Sequence, residues 1–340
     1  MDKRNALIVG AGGMGRAWGR NLRDCSAVRV VGWVDLRPAA AEQAAAELGF
    51  DNIVTGADLE AVIARSRPDV VVDVSTPEAH RDVTLAALAA GLPVLGEKPM
   101  ADSMEHAREM VAAAERAATL YMVSQSRRYD ANLQALRRLI VDRTDLPGIL
   151  NSDFYIGAHF GGFRDEMASP LLLDMAIHTL DAARYLCDAD PVAVYCEEFT
   201  PPWSWYHGDA CATAIFEMTG GLRYTYRGSW CAEGRPTAWE AEWRAVGPHG
   251  TATWDGAGAH APVADVVTAR DGFLSTVRTV ETDVAQDVPT GIAGSLRDFL
   301  HALETGATPM GECHDNIKSL AMVFGAIESA ATGRRVRIAP

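Results

Sequence analysis

The sequence predicts an α/β protein of two domains. We expect an N-terminal domain built on a doubly wound parallel sheet, and a C-terminal α/β domain with a large, open, mostly antiparallel sheet. The first observation is that strand and helix patterns alternate over residues 1–124, as they do in parallel α/β sheets. The second is that residues 191–280 are rich in β-branched and aromatic residues and are interrupted by glycine turns. The predicted domains are therefore residues 1–124 and 125–340.

Composition limits the classes of partner. The chain has 340 residues, 48% of them hydrophobic, which suits a globular protein of two domains. Its formal net charge of −14 argues against nucleic acid, because a phosphate-binding surface needs lysine and arginine. No apolar run approaches the ~20 residues that span a bilayer, so we expect no membrane partner. The six cysteines lack C-x-x-C spacing and the first residues run straight into a strand without a signal-peptide pattern, so we expect a reducing, cytoplasmic location.

The N-terminal elements follow from hydrophobic periodicity and from the residues that end each element. Apolar strands are predicted at 6–9, 28–34, 70–74, 93–95 and 120–123. The helices between them are predicted over 16–22, over 39–48, up to Ala90, and from an N-cap at Asp102 to Ala118. The strand that ends at Val123 closes the predicted parallel sheet.

The C-terminal elements begin with a helix over 130–141 and a strand over 149–158. Ser169-Pro170 then opens a long apolar helix to about Leu186, because proline is favoured at the first helical position. Two glycine-containing turns, at 219–221 and 247–250, predict hairpins in the sheet that follows. Helices over 294–303 and 316–331 complete the chain.

A glycine-rich turn joins the first strand to the first helix. Gly10, Gly12 and Gly15 have G-x-G-x-x-G spacing. This order suits a pyrophosphate, because it gives a tight turn, a backbone without side chains in the way and a helix N-terminus that offers N–H groups. We therefore predict a Rossmann dinucleotide-binding domain, in which Gly13 and Met14 of the same turn also contact the cofactor.

Asp35 ends the second apolar strand, twenty residues beyond Gly15. An acidic residue at this place binds a ribose hydroxyl, and its charge repels a 2′-phosphate, so Asp35 favours NAD. Arg37 follows two residues later, where an arginine can accept that phosphate. NADP therefore stays open as the alternative cofactor.

Lys98 follows Glu97 and precedes Pro99 at the carboxyl end of a predicted parallel strand. Ligands bind at this edge of open α/β sheets, and the proline disfavours helical backbone at Lys98. The ammonium group there can polarise a hydroxyl or carbonyl group. A solvated surface lysine is the alternative interpretation.

Asp174 and His178 lie four residues apart in the long apolar helix, so α-helical spacing places them on one face. A histidine titrates near neutrality and a carboxylate can orient it, which suits general acid–base catalysis. A buried structural hydrogen bond is the alternative. Asp181, three residues further on, is expected to make a supporting contact.

The candidate substrate-binding residues surround this helix in the sequence. The loop before it is expected to contact a polyol, and the faces of nearby aromatic residues suit a sugar, although core packing explains them equally well. One of Arg127 and Arg128 can reach the ligand, and the other is expected to form a salt bridge. The predicted substrate-binding residues are Arg127, His159, Phe160, Arg164 and Trp205.

Cys313, His314 and Asp315 suggest a set of metal ligands. Three adjacent residues cannot all face one ion on a helix, however, because they point in different directions around its axis. The sequence therefore predicts no metal site.

Four motifs carry a resemblance to a known family. In chain order they are the glycine turn at 10–15, Ser75-Thr76-Pro77-Glu78-Ala79-His80, Glu97-Lys98-Pro99 and Asp174-x-x-x-His178-x-x-Asp181. They resemble the glucose–fructose oxidoreductase, inositol dehydrogenase and rhizopine-catabolism (Gfo/Idh/MocA) family along the whole chain. The resemblance implies that Lys98, Asp174 and His178 surround the reacting carbon. It also implies that a cofactor cleft is lined by Ser75, Thr76, Pro77, His80 and Glu97, and that the open sheet builds a homo-dimer or homo-tetramer.

These residues together predict an NAD-dependent oxidoreductase that oxidises a secondary hydroxyl of a sugar, anhydrosugar or cyclitol, as inositol and levoglucosan dehydrogenases do. Either His178 or Lys98 would accept the hydroxyl proton, while Asp174 holds the geometry. The alternatives are an NADPH-dependent keto-sugar reductase and an enzyme that retains NAD while it cleaves glycosides. A non-catalytic sensor of NAD(H) ranks last, because the acid–base residues are present.

Overall fold

The computed structural model describes residues 3–340, which form two compact units. The first unit comprises the chain up to Ser126 together with Ile292–Ile317, and the second comprises Arg127–Gly291 and Lys318–Pro340. The chain thus returns to the first unit near its end, whereas the sequence suggested a single boundary after residue 124. Hydrophobic periodicity carries no information on such a return, since tertiary contacts alone decide it.

The first unit contains a six-stranded sheet in which every pair of neighbours is parallel. Its strands are β1 (Arg4–Val9), β2 (Val28–Val34), β3 (Val54–Gly56), β4 (Val70–Asp73), β5 (Val94–Gly96) and β6 (Tyr121–Val123). The strand order is β3-β2-β1-β4-β5-β6. The chain adds β2 and β3 on one side of β1 and then β4, β5 and β6 on the other side, so the switch point lies between β1 and β4. The predicted doubly wound sheet is confirmed, and its switch point is the place where such sheets bind ligands.

Helices connect the strands of the first unit, and further helices lie in the second unit. They are α1 (Gly13–Asp24), α2 (Pro38–Glu47), α3 (Leu59–Ser66), α4 (Pro77–Ala89), α5 (Met104–Ala117), α6 (Ala131–Leu139), α7 (Ile177–Cys187), α8 (Gly291–Thr305) and α9 (Cys313–Thr332). The short strand β3 and the helix α3 that follows it were not predicted. Three residues are too few for a periodic strand pattern, and α3 has only eight residues. No helix within residues 3–340 is long and apolar enough to cross a bilayer.

The start of α5 differs by one residue from the prediction. Ser103, not Asp102, is the N-cap, and its side chain accepts a hydrogen bond from the backbone N–H of His106 at 3.2 Å. The Asp102 carboxylate instead contacts the imidazole of His106 at 2.6 Å. Both residue types cap helices well, so the sequence alone does not choose between neighbours.

The second unit contains a nine-stranded sheet. Its strands are β7 (Ile149–Tyr155), β8 (Pro191–Phe199), β9 (Cys211–Met218), β10 (Arg223–Ser229), β11 (Glu242–Gly247), β12 (Gly250–Trp254), β13 (Val263–Ala269), β14 (Thr276–Glu281) and β15 (Val336–Arg337). Their order is β14-β13-β12-β11-β7-β10-β9-β8-β15, and of these neighbours β7 and β10 run parallel while the others run antiparallel. The large, mostly antiparallel sheet is therefore confirmed.

The hairpin turns lie where the glycines indicated. Gly220 and Gly221, between β9 and β10, have φ angles of +70° and +83°, a region that favours glycine. Gly250 begins β12 directly after the second turn. Alternate residues of β9 and β10 are buried, including Phe216, Tyr224 and Tyr226, so one face of these strands packs into the core.

The helix opened by Ser169-Pro170 is present, but its first part is not α-helical. Leu171–Ala176 form a π-helical segment, and α7 begins at Ile177. Asp174 therefore lies in the π-helical turn and His178 in the first turn of α7. The prediction of one continuous α-helix is wrong in this part, because nothing in the apolar spacing marks a π-turn, which is often found at functional sites.

Candidate functional site

The glycine turn at the end of β1 has two kinds of glycine. Gly10 has a φ angle of +99°, and a Cβ atom on it would lie 2.4 Å from the carbonyl oxygen of Val74. A Cβ atom on Gly15 would lie 2.1 Å from the carbonyl oxygen of Gly10, so Gly15 lets α1 pack on the turn. Gly12 and Gly13, in contrast, have open space where a Cβ would stand. The tight turn and the open approach that the sequence predicted are both present.

The residues around this open side fit the pyrophosphate of a dinucleotide. Helix α1 begins at Gly13, and its N-cap Gly12 provides no side-chain hydrogen bond. No acidic residue lies in the first turn of α1, so the positive end of the helix dipole is not offset there. Backbone N–H groups at such a helix end bind phosphate oxygens.

Asp35 is fixed beside the glycine turn. One carboxylate oxygen accepts a hydrogen bond from the backbone N–H of Ala11 at 2.8 Å, and the other accepts one from the N–H of Arg37 at 2.9 Å. The side chain of Asp35 is 15% exposed, whereas that of Arg37 is 83% exposed and its Nε lies 3.9 Å from Asp35. The carboxylate is thus oriented at the edge of the turn, and the guanidinium extends into solvent.

The segment after β4 is held by a buried carboxylate. Asp73 accepts hydrogen bonds from the Ser75 N–H at 3.0 Å and the Ser75 hydroxyl at 2.6 Å, and its other oxygen lies 2.9 Å from Nδ1 of His80. Burial disfavours the charged imidazole, but the charge and hydrogen bond of Asp73, together with the charges of Glu97 and Glu78, outweigh burial, so the pKa of His80 is raised. His80 is only 2% exposed, and its Nδ1 also lies 3.3 Å from the Ser75 hydroxyl, so Asp73, Ser75 and His80 form one buried group beside the segment that the sequence assigned to the cofactor cleft.

Glu97 is buried beneath the strand end that carries Lys98. Its carboxylate accepts a hydrogen bond from Nε1 of Trp18 at 2.6 Å and one from the backbone N–H of Lys98 at 3.1 Å. Burial is the main reason why the pKa of Glu97 is raised. Lys98 itself is half-buried and lies two residues after the end of β5, so it stands at the carboxyl edge of the parallel sheet.

In the second unit, Asp174 pairs with an arginine that the sequence assigned to substrate binding. Nε of Arg164 donates to the Asp174 carboxylate at 2.6 Å. The Arg164 guanidinium lies 5.1 Å from the ring centre of Phe160 and 4.8 Å from that of Phe163. The predicted polyol loop is therefore brought into contact with Asp174, and Arg164 of this loop orients the Asp174 carboxylate.

The two adjacent arginines have different surroundings. Arg128 forms a buried two-point salt bridge with Asp181, at 2.8 and 2.7 Å, and Ser319 also donates to Asp181 at 2.7 Å. Asp181 is therefore held by Arg128 and Ser319 within the second unit. Arg127 donates to the carbonyl oxygen of Trp239 and contacts the hydroxyl of Thr179 at 3.4 Å, and burial lowers its pKa to about 10.

An aromatic cluster surrounds the loop before the π-helical segment. His159 stacks on Trp205 with ring centres 3.7 Å apart, and its Nε2 lies 3.1 Å from Glu233. The ring centre of Phe160 lies 5.3 Å from that of Trp230, and Trp230 is buried, so this aromatic residue belongs to the core. Of the predicted substrate residues in this cluster, His159 and Phe160 are both exposed, with the His159 side chain 60% and Phe160 46% exposed.

Glu198 was missed by the sequence reasoning. It lies in β8, and its carboxylate accepts a hydrogen bond from the Ser169 hydroxyl at 3.1 Å, immediately before the π-helical segment. Burial raises the pKa of Glu198 to about 7, with a further contribution from Asp209. The sequence could have indicated that Glu198 is partly buried. In β8 it lies on the same face as Val194 and Cys196, which are both buried.

Comparison with known proteins identifies both halves of the chain. A family model described as an oxidoreductase family with an NAD-binding Rossmann fold matches residues 4–125, and a model of the GFO/IDH/MocA C-terminal domain matches residues 157–253. Relatives that match along nearly the whole chain include a 1,5-anhydro-D-fructose reductase from Ensifer adhaerens, 26% identical over 97% of both chains. An inositol 2-dehydrogenase from Rhizobium meliloti is 25% identical over 98% of both chains.

A solved structure shares the fold over the same length. It is an oxidoreductase from Agrobacterium radiobacter in complex with NAD+, L-tartaric acid and magnesium, with a TM-score of 0.84, 21% identity and 98% of each chain covered. At this identity the likeness concerns the fold.

Proposed function

Because the chain belongs to the Gfo/Idh/MocA family of oxidoreductases, we propose that it oxidises a secondary hydroxyl of a sugar, anhydrosugar or cyclitol with NAD. The observation that carries the proposal is the placement of Asp174 and His178. They lie at the change from π-helix to α-helix in a segment whose neighbours Leu171, Ile177 and Leu180 are buried. Titratable groups in such surroundings are typical of acid–base catalysis.

The preference for NAD rests on Asp35. Its carboxylate is fixed beside the glycine turn, where it can accept hydrogen bonds from the hydroxyls of a ribose. A 2′-phosphate in the same place would meet a negative charge. Gly12 and Gly13 leave room for the pyrophosphate.

In the proposed reaction, the nicotinamide of bound NAD supplies the hydride acceptor. His178 accepts the proton of the substrate hydroxyl, and the ammonium of Lys98 stabilises the negative charge that develops on the oxygen. Asp174, oriented by Arg164, holds the geometry of the acid–base pair. Lys98 is the alternative proton acceptor, and then His178 orients the hydroxyl.

The relatives support the class of substrate without naming the compound. One is named for the reduction of an anhydro-keto sugar and another for the oxidation of inositol, so ring compounds with several hydroxyls are common to both. The exposed faces of Phe160 and Phe163 beside Arg164 suit the C–H faces of such rings.

A panel assay tests this proposal. The purified protein is incubated with NAD, and separately with NADP, and with neutral sugars, anhydrosugars and inositols, while the absorbance of the reduced nicotinamide is followed. We expect NAD-linked oxidation of at least one ring polyol. A parallel assay contains NADPH and keto sugars in place of the oxidised cofactor and the polyols. If no polyol reduces NAD or NADP, and a keto sugar is reduced by NADPH, the reductase replaces the dehydrogenase.

The reductase is the second candidate because of Arg37. Its guanidinium is 83% exposed and 3.9 Å from Asp35, so it can turn toward a 2′-phosphate at the ribose. In that case the same Lys98 and His178 would supply the proton in the opposite direction.

A further inference from the structure

A second cluster of chemically reactive side chains lies in the first unit, at the start of α9. The Glu312 carboxylate is 2.7 Å from Nδ1 of His314 and 3.0 Å from Sγ of Cys313. Sγ and Nδ1 are 3.5 Å apart. Among the described residues, these three form a group of histidine, cysteine and carboxylate ligand atoms within 4.8 Å of one another.

The spacing of these atoms fits one metal ion. Zinc binds thiolate sulfur at about 2.3 Å and imidazole nitrogen or carboxylate oxygen at about 2.0 Å. Each of the three separations is shorter than the sum of two such bonds, so one ion can contact all three atoms after they move apart by a few tenths of an ångström. Thiolate and carboxylate together carry two negative charges, which balance a divalent ion.

The sequence argument against Cys313, His314 and Asp315 does not apply to this set. Glu312 precedes the first residue of α9, so its side chain is not restricted to a helical direction. Residues in an irregular segment and in the first helical turn can converge on a point that three helical neighbours cannot.

Glu115, at the end of α5, adds an independent observation. Its carboxylate lies 2.9 Å from Nε2 of His314, the nitrogen that faces away from Cys313 and Glu312. Histidines that bind metals commonly donate this second N–H to a carboxylate, which fixes the ring and raises its basicity. The chain therefore provides the supporting group as well as the ligands.

The backbone of the cluster is fixed to the parallel sheet. Glu312 forms a bridge with Met122 of β6, and the N–H of Val123 donates to the carbonyl oxygen of Gly311 at 2.8 Å. A Cβ atom on Gly311 would lie 2.4 Å from the Val123 carbonyl oxygen, so the chain approaches β6 closely. Cys313 is buried while His314 is half exposed, which leaves a path for an ion from solvent.

We propose that Glu312, Cys313 and His314 bind a divalent zinc-class ion, with Glu115 as a positioning residue for His314 and a fourth position open to water. Because Glu115 belongs to α5 and the ligands to the start of α9, the ion would link these two helices within the first unit. The proposed metal site does not depend on the proposed sugar or cyclitol substrate or on the proposed oxidation by NAD.

Binding would release protons, so affinity should rise with pH. Burial and the neighbouring Glu312 raise the pKa of the Cys313 thiol, which must lose its proton to bind the ion. Hydrogen bonds that the imidazole donates to the carboxylates of Glu312 and Glu115 raise the pKa of His314, whose Nδ1 must lose its proton to bind the ion. Tyr121 of β6 is a further titratable group that interacts with Cys313.

The test is titration of the metal-free, full-length protein with Zn²⁺ by calorimetry and with Co²⁺ by absorption spectroscopy. We expect one equivalent bound, a thiolate-to-cobalt charge-transfer band, and a higher melting temperature with Zn²⁺. His314→Asn should lower Zn²⁺ affinity by about 100-fold or more, and Glu115→Gln by about 10- to 100-fold. Cys313→Ser should remove the charge-transfer band.

Two matched variants serve as controls. Cys25→Ser, at the end of α1, and His301→Asn, on the exposed side of α8, should bind Zn²⁺ like the wild type. Cys313 is buried, and its replacement can disturb folding. The Zn²⁺ affinity of the variant at the half-exposed His314 is therefore the decisive measurement. Equal Zn²⁺ affinity in wild type and His314→Asn, or a cobalt spectrum without the thiolate band in the wild type, would overturn the proposal.

Discussion

Gly12 and Gly15 belong to the same turn but meet opposite surroundings. Gly15 packs against the Gly10 carbonyl, whereas Gly12 faces open space with a φ angle of −72° that any residue can adopt. The same motif therefore contains a glycine that packing requires, Gly15, and a glycine that leaves space for a ligand beside the backbone, Gly12. Substitution by alanine separates these two roles.

We predict that Gly15→Ala lowers the free energy of unfolding by about 1–3 kcal/mol, the usual cost of overpacking. Gly12→Ala should leave it within about 0.5 kcal/mol of the wild type but weaken NAD binding by about tenfold or more, a loss of about 1.4 kcal/mol. Denaturant unfolding and NAD titration measure the two effects. The interpretation fails if Gly12→Ala binds NAD like the wild type.

Asp35 is the residue to which we assign the choice between the two nicotinamide cofactors. Asp35→Asn removes the charge at nearly constant shape, so the ratio of kcat/KM for NADP to that for NAD should rise by about tenfold or more, a change of about 1.4 kcal/mol. Adding Arg37→Ala should reverse the gain, since the exposed guanidinium is the group that can pair with the phosphate. An unchanged ratio in Asp35→Asn would remove Asp35 from cofactor choice.

At the scale of elements, the contact between β8 and the start of the π-helical segment is sensitive to pH. Glu198 accepts a hydrogen bond from Ser169, while its other carboxylate oxygen is buried and has no hydrogen-bond partner in the described part of the chain. Its pKa is raised from 4.5 to about 7, chiefly by burial. The folded protein therefore keeps a proton that the unfolded chain releases between these values.

It follows that this carboxyl group lowers stability as pH rises from about 4.5 to 7, because the unfolded state binds fewer protons in that range. Glu198→Gln stays neutral, so we predict a smaller loss of unfolding free energy between pH 5 and pH 8 than in the wild type. Glu197→Gln, at the exposed neighbouring position, is the control and should follow the wild type. Identical pH dependence in Glu198→Gln and the wild type would contradict the assignment.

At the scale of the whole molecule, the sequence predicted both sheets because strong local patterns specify them. Alternating strand and helix signals defined the parallel sheet, and glycine turns defined two hairpins of the other. The return of Ile292–Ile317 to the first unit could not be predicted, since it depends on contacts distant in sequence. The π-helical turn at Leu171–Ala176 was missed because apolar spacing does not distinguish it from an α-helix.

In the candidate site, too, some residues could be predicted from the sequence and some contacts could not. Gly10, Gly12 and Asp35 were recognisable because their spacing follows directly from the geometry of a strand, a turn and a helix. The pairing of Arg164 with Asp174 is a contact between a loop and a helical turn, which spacing does not specify. Glu198 was detectable from its strand phase, but its partner Ser169 was not.

The most direct test of the central claim is the turnover number for NADH formation with the best ring polyol, measured for the wild type, Lys98→Ala and His178→Ala. We predict that each substitution lowers turnover by roughly 10² or more, the usual contribution of a positioned acid–base group, while the melting temperature stays close to that of the wild type. Turnover near the wild-type value in both variants would contradict the claim that these residues carry the reaction.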